Sequence, residues 1–419
     1  MQIQSVKGMH DLLMPDSVQW QKIRAIASEL FENFGFQYLE MPVVERTELF
    51  ARSSGHTSDI VQKQMYVFQD KKGESFCLRP EGTAPVVRAY IEHRLYYPEA
   101  YQKFYYWAPM YRYERMQKGR YRQHTQVGIE VLGAHEPYVD AECIFLLTEL
   151  YRRLGLAAFS VELNSIGDST CRPAYREKLV SYFQAKVSAL CEDCQSRLKK
   201  NPMRTFDCKN EACKEVSKKA PRILDDLCGP CATHFESVKQ SLKELKVPFD
   251  VNSAIVRGLD YYVRTAFEVK SSIGLGAQDT LGAGGRYDGL VKTLGGPDTA
   301  GFGFATGIER LMLSMPSQEV SVGRCHVFVA VLGDKARAFA FTLVNQIRLK
   351  HIKAEINYEN KSLKVQMKQA DRLGAQYVLM IGDHELSEGK SILRNMQTQE
   401  QVEVAFSNII STLEQRIQI

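Results

Sequence analysis

The sequence contains no apolar run approaching the roughly 20 residues needed to cross a bilayer, so no membrane partner is expected. Met1 to Trp20 lack a basic stretch leading into an apolar one, and Asp16 stands there as a candidate helix N-cap. No secretion signal is therefore expected, and the chain is read as cytoplasmic. Internal repeats and low-complexity tracts are absent as well. Neither sign of charge dominates: 54 Lys and Arg stand against 49 Asp and Glu, a formal net charge of +5. That balance permits a nucleic-acid partner without establishing one, so where the basic residues cluster matters more than their total.

What is present fits a soluble globular protein, with 44% apolar and 25% charged residues. A chain of 419 residues exceeds what one core usually serves, and two or three domains are expected. Ile23, Ile26, Ala27, Leu30, Phe31 and Phe34 recur at helical spacing before Gly35, which predicts a helix over 17–34. Phe36 to Val44 reads as a strand closed by Pro42. Two strands, Lys103 to Glu114 and Gln123 to Leu132, flank a basic loop, and a helix is expected over 136–154. From 167 to 249 strand patterns vanish, lysines rise, and seven of the ten cysteines appear. Strands resume at Ala266. After Pro316 and a short polar linker, β and α elements alternate, the pattern of a mostly parallel sheet covered by helices. The expected domains are 1–166 and 250–320 for one split core, 167–249 for a helical insertion, and 325–419 for an α/β unit.

The loop over 112–122 carries Arg112, Arg115, Lys118, Arg120 and Arg122 against one acid, Glu114. Arginine outnumbers lysine four to one, which favours forked recognition of phosphate. In the returning strand Gln126, Gly128 and Glu130 alternate with Val127, Ile129 and Val131, so one face is apolar and the other is not. The cysteines form two CxxC pairs, Cys191/Cys194 and Cys228/Cys231, with Cys208 and Cys213 between them. In a chain without a secretion signal they are read as thiols or metal ligands. Two CxxC turns supply four tetrahedral ligands. They predict a structural zinc on Cys191, Cys194, Cys228 and Cys231, with Cys208 and Cys213 as substitutes. Reduced, half-buried thiols are the alternative, the state read for Cys77, Cys143 and Cys325.

Arg112-Tyr-Glu114, the basic loop and the strand after it resemble motif 2 of the class II aminoacyl-tRNA synthetases. Gly303-Phe-Ala-Thr-Gly-Ile-Glu-Arg310 is similar to motif 3, and Phe36 to Val44 around Pro42 to motif 1. Val256-Arg-Gly-Leu-Asp-Tyr-Tyr262 with Arg264-Thr-Ala-Phe-Glu268, and Ala283-Gly-Gly-Arg-Tyr-Asp288, resemble the two signature peptides of the histidyl family. The five segments stand in the family's order over nearly the whole chain.

That resemblance implies an α+β catalytic domain with a mixed, mainly antiparallel sheet, a helical insertion and a C-terminal α/β anticodon-binding domain. It implies activation of L-histidine with ATP and Mg2+, then transfer to the histidine tRNA by a homodimer. Arg112, Arg257 and Arg310 become the catalytic cations, on the α-phosphate, the α-phosphate and the γ-phosphate respectively. Arg112 and Arg257 also face histidine. Glu81, Thr83 and Gln126 take the amino acid's ammonium; Glu130 and Tyr262, with Tyr261 beside them, read its imidazole. Glu114, Arg120 and His124 join Arg112 and Arg310 around ATP, and Arg115, Gln117 and Lys118 meet the tRNA acceptor end. Gly284 and Gly285 are expected to let backbone approach the ligand. His124 departs from the family, which commonly has phenylalanine there to stack on adenine. Lys361, Lys364, Lys368 and Arg372 near one helical face either meet phosphates or form a solvated surface. The rival implied is a non-catalytic paralogue that regulates a histidine-biosynthetic transferase; such proteins lose the ATP arginines and the last domain.

Overall fold

The computed structural model describes residues 3–417 except 56–57, 59, 99–100, 157, 272, 274–278 and 317–324. The chain forms two compact units, Met1–Gln318 and Glu319–Ile419. The linker expected after Pro316 lies outside the described residues.

The strands of the first unit are β1 (Gln37–Tyr38), β2 (Val44–Arg46), β3 (Tyr66–Gln69), β4 (Ser75–Leu78), β5 (Gln102–Tyr111), β6 (Gln123–Leu132), β7 (Phe159–Ser165), β8 (Asp250–Val251), β9 (Val263–Ser271), β10 (Thr280–Arg286) and β11 (Gly301–Gly307). Eight form one sheet in the order β1-β5-β6-β11-β10-β9-β7-β8. Its two outermost pairs are parallel and the rest antiparallel, the mixed sheet expected. A small sheet, β2-β4-β3, stands apart.

Alternation in β6 sorts the two faces. Val127, Ile129 and Val131 are buried in a core shared with helices Asp16–Asn33 and Pro137–Arg153. Truncating one of them, Ile129→Ala, costs about 2–5 kcal/mol of transfer and cavity energy. The first helix turns Ile23, Ala27, Leu30 and Phe31 inward and stops before Gly35, whose φ of 79° suits the left-handed turn. The strand read over 36–44 is shorter than expected. Pairing with β5 stops after Tyr38, and the chain resumes a strand only at Val44, past Pro42, which has no N–H to give a ladder. Arg79 explains the gap. It is fully buried, and its guanidinium donates to the carbonyls of Met41, Pro42 (3.1 Å) and Pro109 (2.9 Å). The backbone around Pro42 is thus spent on Arg79 instead of a sheet.

The insertion is helical as expected, with helices Arg172–Gln184, Glu192–Lys200, Glu211–Lys218 and Gly229–Glu244. It closes a small core of its own around Tyr175, Leu179 and Phe183. The last helix belongs to the main core instead: Phe235, Val238 and Leu242 pack there, against helix Pro137–Arg153.

In the second unit β12 (Val327–Leu332), β13 (Ala354–Ile356), β14 (Tyr377–Gly382), β15 (Lys390–Asn395) and β16 (Gln401–Ala405) order as β13-β12-β14-β15-β16. The first three are parallel and linked by helices Asp334–Arg348 and Leu363–Arg372; the closing hairpin is antiparallel. That hairpin was not read from the sequence, because its short strands mix charge with apolar residues and β16 is largely exposed. Lys364, Lys368 and Arg372 are exposed, and Lys361 pairs with Glu359 at 3.0 Å. No described helix is long and apolar enough to cross a membrane.

Candidate active site

The polar face of β6 floors a cavity of about 360 Å³. Its walls come from β5 and the turn before helix Thr83–Glu92, from the segment 257–262, from β10 and β11, and from the start of helix Ile308–Ser314. Gly82 and Gly128 make room for one floor residue. A Cβ on either would come within 2.4 Å of the Tyr106 ring, so that aromatic lies across the floor only because both are glycine.

Four cations line this cavity: Arg112 and Arg120 from the basic loop, and Arg257 and Arg310 from two distant parts of the chain. Arg112 Nε donates to the Pro80 carbonyl at 2.8 Å, which fixes its guanidinium to the turn carrying Glu81. Arg257 pairs with Glu268 at 2.9 Å and lies 5.2 Å from the centroid of the Tyr262 ring. Asp260, the neighbour in sequence, instead accepts from Asn201 at 3.0 Å. Arg310 donates to the carbonyls of Gly119 (3.0 Å) and Thr280 (2.8 Å), tying the basic loop to β10.

The loop has two sides. Arg112, Glu114 and Arg120 are half-buried and line the cavity, with Arg120 paired to Glu114. Arg115, Gln117 and Lys118 are exposed and outside it. The N-terminal segment braces the loop: the Gly8 carbonyl accepts from the backbone N–H of Arg122 (2.9 Å) and of Gln123 (3.1 Å). His10 meets Tyr121 edge-on at 5.1 Å. That brace was not anticipated, since nothing in Lys7-Gly-Met-His10 distinguishes it from a frayed end.

Of the residues expected around histidine, Glu81, Thr83, Gln126, Tyr261 and Tyr262 line the cavity. The Glu81 carboxylate accepts from the backbone N–H of Thr83 (2.7 Å) and of Ala84 (3.0 Å), at the start of a helix where such donors lack partners. Burial nevertheless pushes its carboxyl above the usual range. Glu130 is one layer deeper. Thr83 Oγ1 and the Tyr287 hydroxyl donate to its two oxygens, at 2.7 and 2.5 Å. Burial pushes Glu130 up to about 8, against those two donors, which favour the charged form.

His124 lines the cavity. Burial and the cations Arg112, Arg310 and Arg120 push its imidazole down to about 3, so the ring is neutral throughout the physiological range. Glu309 holds the Thr125 N–H at 2.8 Å through one oxygen; the other is buried without a hydrogen-bond partner among the described residues. Burial pushes its carboxyl up to about 7.

Two expectations need correction. Gly284 and Gly285 do not line the cavity; Gly282 and Ala283 do. A Cβ on Gly284 would meet the Gly303 carbonyl at 2.2 Å, and one on Gly285 the Thr265 carbonyl at 2.5 Å, so both glycines serve close strand packing. Arg286, between them and Asp288, is fully buried against Asp140, which also holds His234 at 2.9 Å. The second signature peptide is thus partly architectural. The other correction concerns the cysteines. The two CxxC pairs do not share a cluster: Cys191 and Cys194 lie with Cys208 and Cys213, and Cys228 and Cys231 with Asp168 and Cys171. Each pair opens a different helix, and the nearer partners in space are the odd cysteines, not the other pair.

The sequence model of the family described as histidyl-tRNA synthetase matches residues 8–311, and that of the anticodon binding domain matches residues 326–416. Histidine–tRNA ligase of Syntrophotalea carbinolica is 46% identical over 413 residues, covering 99% of this chain and 98% of that one. The ligase of Halothermothrix orenii is 44% identical over 420 residues, with both chains fully covered. The crystal structure of the apo Staphylococcus aureus histidyl-tRNA synthetase superposes with a TM-score of 0.84 at 38% identity, over 98% of this chain and all of the other. These full-length matches to ligases set aside the regulatory paralogue, and the chain belongs to the histidyl-tRNA synthetase family.

Proposed function

We propose that the cavity activates L-histidine and that the exposed side of the basic loop then presents the tRNA 3′ end to the product. In the first step a histidine carboxylate oxygen attacks the α-phosphorus of ATP, and pyrophosphate leaves. In the second a hydroxyl of the terminal ribose attacks the adenylate's carbonyl carbon, and AMP leaves. Two anions must meet in the first step, so cationic stabilisation and positioning dominate. The observation that carries the reading is the convergence of Arg112, Arg257 and Arg310 on one cavity that also holds Glu81.

Arg112 and Arg257 act at the α-phosphate and Arg310 at the γ-phosphate. The anchors fit these roles: each guanidinium is held by a carbonyl or carboxylate, which limits the reorganisation needed when phosphate charge develops. Glu81, Thr83 and Gln126 take the ammonium. Tyr262, Tyr261 and Glu130 select the imidazole, with Glu130 reached through the Thr83 and Tyr287 hydroxyls. Glu114, Arg120 and His124 complete the ATP site, and Arg115, Gln117 and Lys118 meet the acceptor end.

Mg2+ enters with ATP. The donor set suits a hard cation: Glu309 presents a buried oxygen without a partner, and Glu114 lies in the same cavity. Bound there, the ion neutralises charge on the polyphosphate. The exposed row Lys364, Lys368 and Arg372 serves the tRNA backbone. The working form is a homodimer. Pyrophosphate exchange into ATP, run with each of the twenty amino acids, tests the reading. Exchange should depend on histidine alone; no exchange, or better exchange with another amino acid, would refute it.

A further inference from the structure

The insertion holds two four-atom groups of metal-ligand type. In one, the sulfurs of Cys191, Cys194, Cys208 and Cys213 all lie within 4.8 Å of one another; in the other, so do those of Cys171, Cys228 and Cys231 with a carboxylate oxygen of Asp168. We propose that each group binds one zinc ion, a four-sulfur site in the insertion's own core and a three-sulfur, one-oxygen site at its root.

The spacings fit mononuclear tetrahedral sites. A Zn–S bond of about 2.3 Å implies sulfurs roughly 3.8 Å apart, and a Zn–O bond of about 2.1 Å places oxygen roughly 3.6 Å from sulfur. Cys191 Sγ and Cys208 Sγ are 3.7 Å apart, and Cys171 Sγ and Cys231 Sγ 3.9 Å. Asp168 Oδ1 is 3.6 Å from Cys171 Sγ and 3.8 Å from Cys228 Sγ. One such distance could be ordinary contact between sulfurs. Two closed quartets, with every cysteine free of a disulfide, are not what unconstrained packing supplies.

The local construction is the same twice. Cys191 caps helix Glu192–Lys200 and Cys194 sits in its first turn; Cys228 caps helix Gly229–Glu244 and Cys231 sits in its first turn. Each site then takes two ligands from a tight turn. Its backbone N–H groups also aim at sulfur: Cys191 N–H donates to Cys213 Sγ at 3.2 Å, and Asp168 N–H to Cys171 Sγ at 3.3 Å. At the root the turn needs Gly167, whose φ is 63° and whose added Cβ would stand 2.6 Å from Cys171 Sγ.

The sites also answer a packing need. Three of the ten residues in the insertion's small core are cysteines, Cys194, Cys208 and Cys213, which leaves little apolar volume to hold helices Arg172–Gln184, Glu192–Lys200 and Glu211–Lys218 together. The root site joins the strand end where the chain leaves the catalytic core to the helix on which it returns. It adjoins the first signature peptide through Arg264, which pairs with Asp168 at 3.4 Å, and Arg172, which donates to the Tyr262 carbonyl.

The full-length protein, purified under reducing conditions without chelator, should carry about two zinc ions per chain by plasma mass spectrometry. Cys194→Ser and Cys231→Ser should each leave about one, and the double variant none. Because a variant could lose metal by unfolding, the wild-type protein is also titrated with an organomercurial in the presence of a zinc-binding dye. Zinc should appear in proportion to the seven insertion thiols, and Cys77, Cys143 and Cys325 should release none. X-ray absorption at the zinc edge should fit sulfur near 2.3 Å with a minority of oxygen near 2.0 Å. Folded wild-type protein that stays below about half an ion per chain after incubation with zinc, that holds one ion only, or that holds iron instead, overturns the two-site proposal.

Discussion

Thr83 Oγ1 donates a 2.7 Å hydrogen bond to Glu130 Oε1, which joins a cavity wall to a carboxyl buried one layer beneath it. That carboxyl sits beside Gly303, where any Cβ would stand 1.9 Å from its other oxygen. The site therefore contains a glutamate that water does not reach, held by two hydroxyls and a glycine-lined slot.

The first prediction concerns that glutamate. Its folded value of about 8 lies above the ordinary carboxylate range, so the folded state holds its proton more tightly than the unfolded chain. Stability from this group is complete at acid pH and is lost as pH rises towards 8, by on the order of a few kcal/mol. Glu130→Gln removes that dependence. The melting temperature of the variant relative to the parent should therefore rise between pH 5 and 8 and level off above. A difference that stays flat or falls over this range, read by calorimetry, contradicts the assignment.

Arg257 gives the second. Arg257→Ala should lower the rate of adenylate formation by ~10²-fold or more, the scale of removing one preorganised donor to transition-state charge. Histidine affinity should change much less. Arg257→Lys should recover little, because an ammonium cannot hold Glu268 and a phosphate in one fork. Single-turnover kinetics separates the two effects, and near-normal turnover with lost histidine binding would contradict the role.

His124 gives the third. Its ring is neutral above about pH 3, so it offers adenine a stacking face without charge. His124→Phe should leave the pH dependence of KM for ATP unchanged between pH 6 and 9. A titration near pH 6.5 present in the parent and absent in the variant would show that the imidazole charges in the folded protein.

Much of this was legible beforehand where chemistry and period coincide. The polar face of β6 followed from alternation, and the three arginines followed from motif resemblance. What the sequence hid was pairing across long separations. The two CxxC pairs looked like one site because they are the obvious units, yet Asp168 and Cys171 lie far from Cys228 in the chain and carry no motif of their own. Arg79 drew no expectation, because its burial against Met41, Pro42 and Pro109 depends on where the ends of β4 and β5 meet the segment around Pro42. The role of Gly284 was misread because a glycine between strands looks the same whether it faces a ligand or a neighbouring backbone.

Glu309 gives the fourth prediction. Its partnerless buried oxygen is the hard donor best placed for the cation that accompanies ATP. Glu309→Gln keeps the acceptor for the Thr125 N–H and removes the charge. The Mg2+ concentration for half-maximal pyrophosphate exchange should rise several-fold at saturating histidine. An unchanged Mg2+ requirement would remove Glu309 from the proposed set.

The last prediction separates the two sides of the basic loop. Arg115 and Lys118 are exposed and outside the cavity, whereas Arg112 and Arg120 line it. If the outer side meets the acceptor end, Arg115→Ala and Lys118→Ala should weaken charging of tRNA while pyrophosphate exchange stays near that of the parent. Each lost phosphate contact should also flatten the salt dependence of tRNA binding, lowering the log–log slope by about 0.7–0.9. Arg112→Ala and Arg120→Ala should instead depress exchange itself, because the adenylate forms before tRNA is needed. Measuring exchange, tRNA charging and the salt slope on the four variants distinguishes the alternatives. Equal losses of exchange in all four would mean that the loop works as one unit, and the division drawn from its burial pattern would not hold.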